Sequence, residues 1–112
     1  MAGLSTHVLD TSNGLPAPGL KIELWSGDGK NLLNRAVTNQ DGRTDAPLLS
    51  ADDASDGFYE IRFFAGDYLT KRGEEAAFYD VISIRFRFDA SRPHHHIPLL
   101  LSPFGYSTYR GS

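Results

Sequence analysis

Apolar and polar side chains alternate strictly in the stretch Ile82-Ser83-Ile84-Arg85-Phe86-Arg87-Phe88. The same period of two returns in residues 20–24 and 59–63. Alternation of this kind is typical of a β-strand that places one face on a core and the other in solvent. The sequence therefore predicts a mainly β protein.

Turn signals separate the alternating runs and set the strand boundaries. They include Asn13-Gly14, Gly27-Asp28-Gly29, Asp41-Gly42, Asp56-Gly57, Ala65-Gly66-Asp67 and Ser102-Pro103. We predict strands near residues 4–9, 19–26, 32–38, 43–46, 57–65, 81–89, 94–102 and 105–110. Many short strands separated by turns are typical of a β-sandwich.

One segment departs from the alternation, namely Glu74-Glu75-Ala76-Ala77-Phe78-Tyr79. It contains helix formers, and its acidic residues stand where the first turn of a helix prefers them. We therefore predict a single short helix just before the strand that begins near residue 81.

Length and composition limit the classes of function. The chain has 112 residues, which predicts one domain over residues 1–112. The net charge of −3 argues against a nucleic-acid partner, and no apolar run reaches the roughly 18 residues that a membrane span needs. The chain contains no cysteine, which excludes disulfides and thiol chemistry. No secretory stretch precedes the first strand, so we expect a cytoplasmic protein.

The histidines fall in two places, His7 and the run His94-His95-His96. On a strand, His94 and His96 share one face and His95 points the other way. Imidazole gives and takes protons near neutral pH, which makes these residues candidates for proton transfer. Two other interpretations stay open: ordinary structural histidines, or a zinc or copper site built from His7, His94 and His96.

Arg43 follows the Asp41-Gly42 turn. Its guanidinium carries five donors in a fixed fork and keeps its charge, so it suits a ring carbonyl or a developing oxyanion. The alternative is a turn arginine paired with Asp41 or Asp45. The sequence has no Gly-X-Ser-X-Gly nucleophile motif and no phosphate-binding glycine loop, so water is the expected nucleophile if the chain is an enzyme.

The sequence ends on Tyr109-Arg110-Gly111-Ser112, directly after a strand-like segment. Chain termini are ordinarily frayed and free to vary. We expect the α-carboxylate of Ser112 to be held at a defined place and to have a chemical role.

Three blocks of the sequence resemble the signature motifs of the 5-hydroxyisourate hydrolases, the purine-catabolic branch of the transthyretin-like family. The blocks are Thr6-His7-Val8-Leu9-Asp10-Thr11 with Gly14, Pro16 and Ala17; Asp41-Gly42-Arg43; and residues 94–103 (HHHIPLLLSP) with 106–112 (YSTYRGS). They occur in the family's order, and together they cover essentially the whole chain.

The resemblance implies a transthyretin-like β-sandwich of about eight strands in two sheets, assembled as a homotetramer with its sites between dimers. It implies hydrolysis of 5-hydroxyisourate to 2-oxo-4-hydroxy-4-carboxy-5-ureidoimidazoline in urate degradation, by water attack on a cyclic amide, with no cofactor and no metal. The implied catalytic residues are His7, Arg43, His96 and Ser112. The implied substrate contacts are His7, Arg43 and Tyr109. His95 stands where the family commonly has another aromatic or polar residue, and we expect it to lie outside the mechanism.

Three alternatives remain at this point: a transthyretin-like carrier that holds an aromatic ligand, a β-sandwich interaction module, and the metal protein. Two proton-active histidines beside an arginine favour the hydrolase over the carrier, which has no use for them.

Overall fold

The computed structural model describes residues 3–50, 52–73, 78–92 and 94–111. These residues form nine strands and one helix: β1 (Gly3–Asp10), β2 (Leu15–Pro16), β3 (Lys21–Ser26), β4 (Leu32–Val37), β5 (Leu49–Ser50), β6 (Gly57–Phe64), α1 (Ala65–Lys71), β7 (Val81–Phe88), β8 (His94–Ser102) and β9 (Gly105–Thr108). Within the described ranges, no helix is long and apolar enough to cross a membrane.

The strands form two sheets. The first has the order β2-β1-β8-β9, with the short β5 paired to the beginning of β1, and the second has the order β4-β3-β6-β7. Strands β1 and β8 run parallel, and the other pairings are antiparallel. The predicted β-sandwich is therefore confirmed.

The core lies between the sheets, where the inward-facing residues of both sheets meet. Its fully buried members include Leu4, Val8, Leu99 and Leu101 from the first sheet, and Ile22, Leu24, Ile61 and Phe63 from the second. Burying a large aliphatic or aromatic side chain contributes about 1.5–3 kcal/mol, so these alternating positions stabilise the sandwich.

The predicted strand at 43–46 is wrong. Arg43 makes one isolated antiparallel bridge with His7, and residues 44–46 belong to no strand. Local bonds occupy the segment instead, since the Thr44 hydroxyl donates to the carbonyl of Ala46 at 2.6 Å. The sequence prediction also missed the two-residue strands β2 and β5, which are too short to show a period.

The helix lies earlier than predicted. Residues 74–77 of the predicted helix fall outside the described residues, and Phe78 and Tyr79 are not helical. Helix α1 forms instead over Ala65–Lys71, part of which we had assigned to a turn. Tyr68 and Leu69 of this helix are buried, so tertiary packing outweighs the weak local preference for a turn.

Candidate active site

Strands β1 and β8 lie side by side, which brings the two histidine-containing segments together. Their parallel register sets Ser5 opposite His96 and His7 opposite Pro98. Because Leu4, Val8 and their alternate neighbours face the core, the intervening residues face outward. The outer face of the first sheet therefore carries both His7 and His96.

The hydroxyl of Ser5 lies between two histidines of the neighbouring strand. Its Oγ is 2.9 Å from His94 Nε2 and 2.8 Å from His96 Nδ1. The rings of His94 and His96 are stacked with their centroids 6.3 Å apart. The prediction that these two histidines share a face is confirmed. Sequence reasoning missed Ser5, although it has the same strand parity as His7.

His95 points into the sandwich, as predicted. It is 5% exposed, its ring stacks on Phe88 with centroids 4.0 Å apart, and its Nε2 accepts a hydrogen bond from the backbone N–H of Asp89. Burial lowers the pKa of His95, against the opposing charge of Asp89 and with help from Arg110. His95 is therefore a packing residue on the face opposite the candidate site.

A tight turn holds Arg43 beside β1. The backbone N–H of Val8 donates to the carbonyl of Gly42 at 2.9 Å, and Arg43 is paired with His7 in the isolated bridge. Gly42 has φ +72°, and a Cβ there would lie 2.4 Å from the carbonyl oxygen of Val8. Only glycine permits both this backbone conformation and this close approach.

The side chain of Arg43 is exposed. The alternative in which Asp41 or Asp45 neutralises it is not supported: Asp45 accepts from the Asn39 amide, and no described carboxylate forms an ion pair with Arg43. Among the described residues, the charge of Arg43 therefore has no carboxylate counter-ion.

The C-terminal segment passes directly over His96. The backbone N–H of Gly111 donates to the carbonyl of His96 at 2.8 Å. A Cβ at position 111 would lie 2.6 Å from His96 Cδ2, so the close approach of the chain to the imidazole requires glycine. Ser112 itself lies outside the described residues, so the role of its carboxylate stays a prediction.

Tyr109 is 59% exposed. It borders a cleft of about 160 Å³ that is also lined by His95 and Ile97, which belong to the inner face of β8. Tyr109 is close in sequence to Gly111, but it lines a different cleft from the candidate site. Its contact with substrate stays a prediction.

The electrostatics of the outer face favour an uncharged His96. Burial lowers the pKa of His96, and the charges of Arg43, His94 and His7 lower it further, against a smaller opposing hydrogen bond to the Ser5 backbone. Arg43 and His7 are thus close enough to influence His96. A neutral imidazole can accept a proton from water near neutral pH.

Asp10 belongs to the first signature motif, yet it does not face the site. It is fully buried on the inner face, where it accepts hydrogen bonds from Ser12 and from the Tyr68 hydroxyl and pairs with Arg72. This cluster ties α1 to the end of β1. Sequence reasoning assigned Asp10 no role, because the predicted first strand ends at residue 9.

The metal interpretation gains no support from the described part of the chain. Within it, no three histidine, cysteine, aspartate or glutamate side chains are grouped so that they can hold a metal ion. His94 and His96 both face Ser5 instead.

This fold and this surface define a class, namely a β-sandwich protein with histidines and an arginine grouped at the outer face of one sheet. The sequence model of the HIUase/Transthyretin family matches residues 4–111. The chain belongs to that family.

Proteins of known name agree with this assignment. A 5-hydroxyisourate hydrolase from Halalkalibacterium halodurans is 50% identical, over 97% of this chain and 97% of the relative. The structure of Klebsiella pneumoniae 5-hydroxyisourate hydrolase superposes with a TM-score of 0.86 at 36% identity, and all of both chains is covered. Sea bream transthyretin in complex with thyroxine gives a TM-score of 0.90 at 26% identity, over 98% of this chain and 95% of that one.

Proposed function

We propose that this chain hydrolyses 5-hydroxyisourate to 2-oxo-4-hydroxy-4-carboxy-5-ureidoimidazoline in urate degradation. The observation that carries the proposal is the common location of His7, Arg43 and His96 on the outer face of the first sheet. The names of close relatives support the substrate.

The reaction opens a cyclic amide, so it needs an activated water, charge stabilisation at the attacked carbonyl and a proton for the departing nitrogen. His7 and His96 are assigned to proton transfer, one as general base for water and the other as acid or orienting group. A positioned acid or base contributes about 10²–10⁴-fold to the rate.

Arg43 is assigned to the substrate oxygens. Arg43 is exposed and its backbone pairs with that of His7, and its guanidinium has no carboxylate partner among the described residues. In the transition state it stabilises the developing oxyanion, and loss of one such preorganised donor costs about 3–4 kcal/mol of barrier.

The terminal segment completes the site in this proposal. Gly111 brings the backbone against His96. The carboxylate of Ser112 is assigned to orienting an imidazole. Tyr109 contacts the substrate. The chain works without cofactor, as a cytoplasmic homotetramer with its sites between dimers.

The variants His7→Ala, Arg43→Ala and His96→Ala test the site. We expect each to slow hydrolysis of freshly generated 5-hydroxyisourate by about 10²-fold or more, measured by ultraviolet absorbance in a stopped-flow instrument. Arg85→Ala is the control, because Arg85 is an exposed arginine on the second sheet. Three decay curves that match the wild-type curve would remove these residues from the mechanism.

Two further measurements test separate parts of the proposal, namely the role of the terminal carboxylate and hydrolysis as opposed to binding alone. A short Gly-Ser extension after Ser112 should slow turnover if the terminal carboxylate takes part, and unchanged turnover would exclude it. Wild-type protein that binds 5-hydroxyisourate without hydrolysing it would favour the carrier alternative, which the likeness to thyroxine-bound transthyretin keeps open.

A further inference from the structure

The hydroxyl of Ser5 is the only described group that contacts both His94 and His96 through hydrogen bonds. A serine hydroxyl has one hydrogen to donate and two lone pairs to accept. It cannot donate to both imidazoles at once, so at least one of the two facing nitrogens carries a proton. The three groups therefore form a continuous hydrogen-bonded chain from His94 Nε2 through Ser5 Oγ to His96 Nδ1.

The two ends of this chain differ in their access to solvent. His94 is exposed, whereas His96 is half-buried beside the terminal segment. Because Ser5 occupies Nδ1 of His96, the ring nitrogen left for a substrate is Nε2. This hydrogen-bonded chain thus has one end, His94, in solvent and the other, His96, at the proposed site of reaction.

The partner of His96 Nδ1 is unusual for a histidine in acid–base chemistry. A carboxylate at this position stabilises the imidazolium by its charge and fixes the tautomer. Here the described partner is an uncharged hydroxyl, and the other groups that face His96 are the cation Arg43 and the histidines His94 and His7. Among these described neighbours, Arg43, His94 and His7 disfavour a positive ring, and only the smaller hydrogen bond to the Ser5 backbone favours it. A route that removes a proton from Nδ1 therefore favours proton uptake at Nε2.

We propose, on the basis of the proposed hydrolase function, that His94, Ser5 and His96 form a proton relay that exchanges protons between His96 and solvent. When Nε2 of His96 accepts a proton from the attacking water, Nδ1 gives its proton to Ser5 Oγ. The Ser5 hydroxyl hydrogen passes to His94 Nε2, and His94 releases the proton on its Nδ1 to bulk water. One proton enters the chain and one leaves, and both rings end neutral.

The same steps run backwards when His96 gives a proton to the departing nitrogen. His96 Nε2 loses its proton, His96 Nδ1 takes one from Ser5, and Ser5 takes one from His94 Nε2. His94 then takes up a proton from water at Nδ1. The relay therefore serves His96 in either role. Ser5 acts through His96 and is a positioning residue, because it also holds the ring with Nε2 free.

Kinetics give the first test. Ser5→Ala breaks the relay and should lower kcat roughly 10- to 100-fold with little change in KM. This is less than the about 10²–10⁴-fold that a positioned acid or base contributes, because Ser5 acts through His96. Ser5→Thr keeps a hydroxyl at the same position and should stay within about threefold of wild type. Ser83→Ala is the matched control, since Ser83 is an exposed strand serine on the other sheet.

A second variant separates relay from packing. His94→Ala removes the solvent end and should also lower kcat, and added imidazole should restore the rate in proportion to its concentration. The same imidazole should not restore Ser5→Ala, which retains His94. Wild-type kcat in both Ser5→Ala and His94→Ala would overturn the relay, as would a loss in Ser5→Thr equal to that in Ser5→Ala.

Nuclear magnetic resonance of ¹⁵N-labelled histidine tests the chain without substrate. The ¹⁵N shifts report the tautomers of His94 and His96, and in the wild type the titration of each should change the shifts of the other. Ser5→Ala should weaken this coupling to what the charges of the two rings alone produce. Titrations that Ser5→Ala leaves unchanged would overturn the relay even if the protein hydrolyses 5-hydroxyisourate, whereas inactive wild type with intact coupling would instead reject the proposed substrate.

Discussion

The two faces of the β1–β8 pair share the same backbone hydrogen bonds but have different roles, one in stability and the other in the proposed chemistry. Inward residues such as Leu4 and Leu99 are fully buried and hold the sheets together. Outward residues such as Ser5 and His96 are partly accessible and contact one another through polar atoms. Because successive strand residues face opposite sides, stability and chemistry are encoded at alternate positions of the same strands. Substitutions on the inner face should therefore lower stability, whereas substitutions on the outer face should lower activity.

The largest effect on stability is expected from Leu99→Ala on the inner face. Removing this fully buried side chain leaves a cavity and should lower the free energy of unfolding by about 2–5 kcal/mol, measured by denaturant titration. The activity of the protein that remains folded should change little. Leu33→Ala is the matched control, because Leu33 is an exposed leucine on β4. Equal losses at the two positions would contradict the division between faces.

A smaller loss, about 1.5–3 kcal/mol, is expected for Asp10→Asn, because a buried carboxylate loses charged hydrogen bonds. Burial raises the pKa of Asp10, but the hydrogen bonds from Ser12 and Tyr68 and the charge of Arg72 outweigh it, and the net pKa is lowered. Burial and the same carboxylate raise the pKa of Tyr68 to about 12, so the phenol stays a donor.

The sign of the pH dependence follows from the lowered pKa. The stability that Asp10 contributes is fully present above its ordinary pKa and is lost as the pH falls through the lowered value. The difference in unfolding free energy between wild type and Asp10→Asn should therefore shrink in acid. Asp67→Asn, which changes an exposed carboxylate of α1, serves as the control. A difference that grows towards low pH would contradict the assignment.

The smallest effect is expected for His95→Phe, which changes the one histidine of the run that faces inward. At neutral pH the unfolding free energy should change by less than about 1 kcal/mol, since the ring already stacks on Phe88. His95 has a lowered pKa, so the folded state resists its protonation, and stability is lost as the pH falls below the ordinary value. His95→Phe should remove that loss.

The same variant sharpens the contrast with its neighbours. Turnover of 5-hydroxyisourate by His95→Phe should equal that of wild type, whereas His94→Ala and His96→Ala should be slow. A slow His95→Phe enzyme with unchanged stability would place His95 in the mechanism and would contradict the two-face division.

Local patterns predicted most of the fold because a period of two is visible wherever a strand is long enough. Strands β6, β7 and β8 were placed within about two residues of their observed ends. The segment around Arg43 failed because its alternation is weak and a single bridge to His7 replaces a ladder. Helix α1 was misplaced because burial of Tyr68 and Leu69, which no local pattern reports, stabilises it.

The candidate site was likewise predicted only in part from the sequence. The motifs identified His7, Arg43 and His96 as chemically capable groups, and strand parity placed His95 on the opposite face. The register between β1 and β8 was not visible in the sequence, so the contact of Ser5 with both His94 and His96 was missed. Likewise, the reason for Gly111 appears only where the chain crosses the ring of His96.

By itself the sequence determined the sandwich, the inward and outward sets of each long strand, and the family. The sandwich and the inward and outward sets depend on neighbours in the chain, so side-chain alternation shows them directly, and the family is shown by the sequence motifs. Only the tertiary structure decided that β1 lies parallel to β8, that Ser5 joins two imidazoles, and that Asp10 turns inward to Arg72. Those contacts join residues far apart in the sequence, and which of them form is settled by the packing of the whole core.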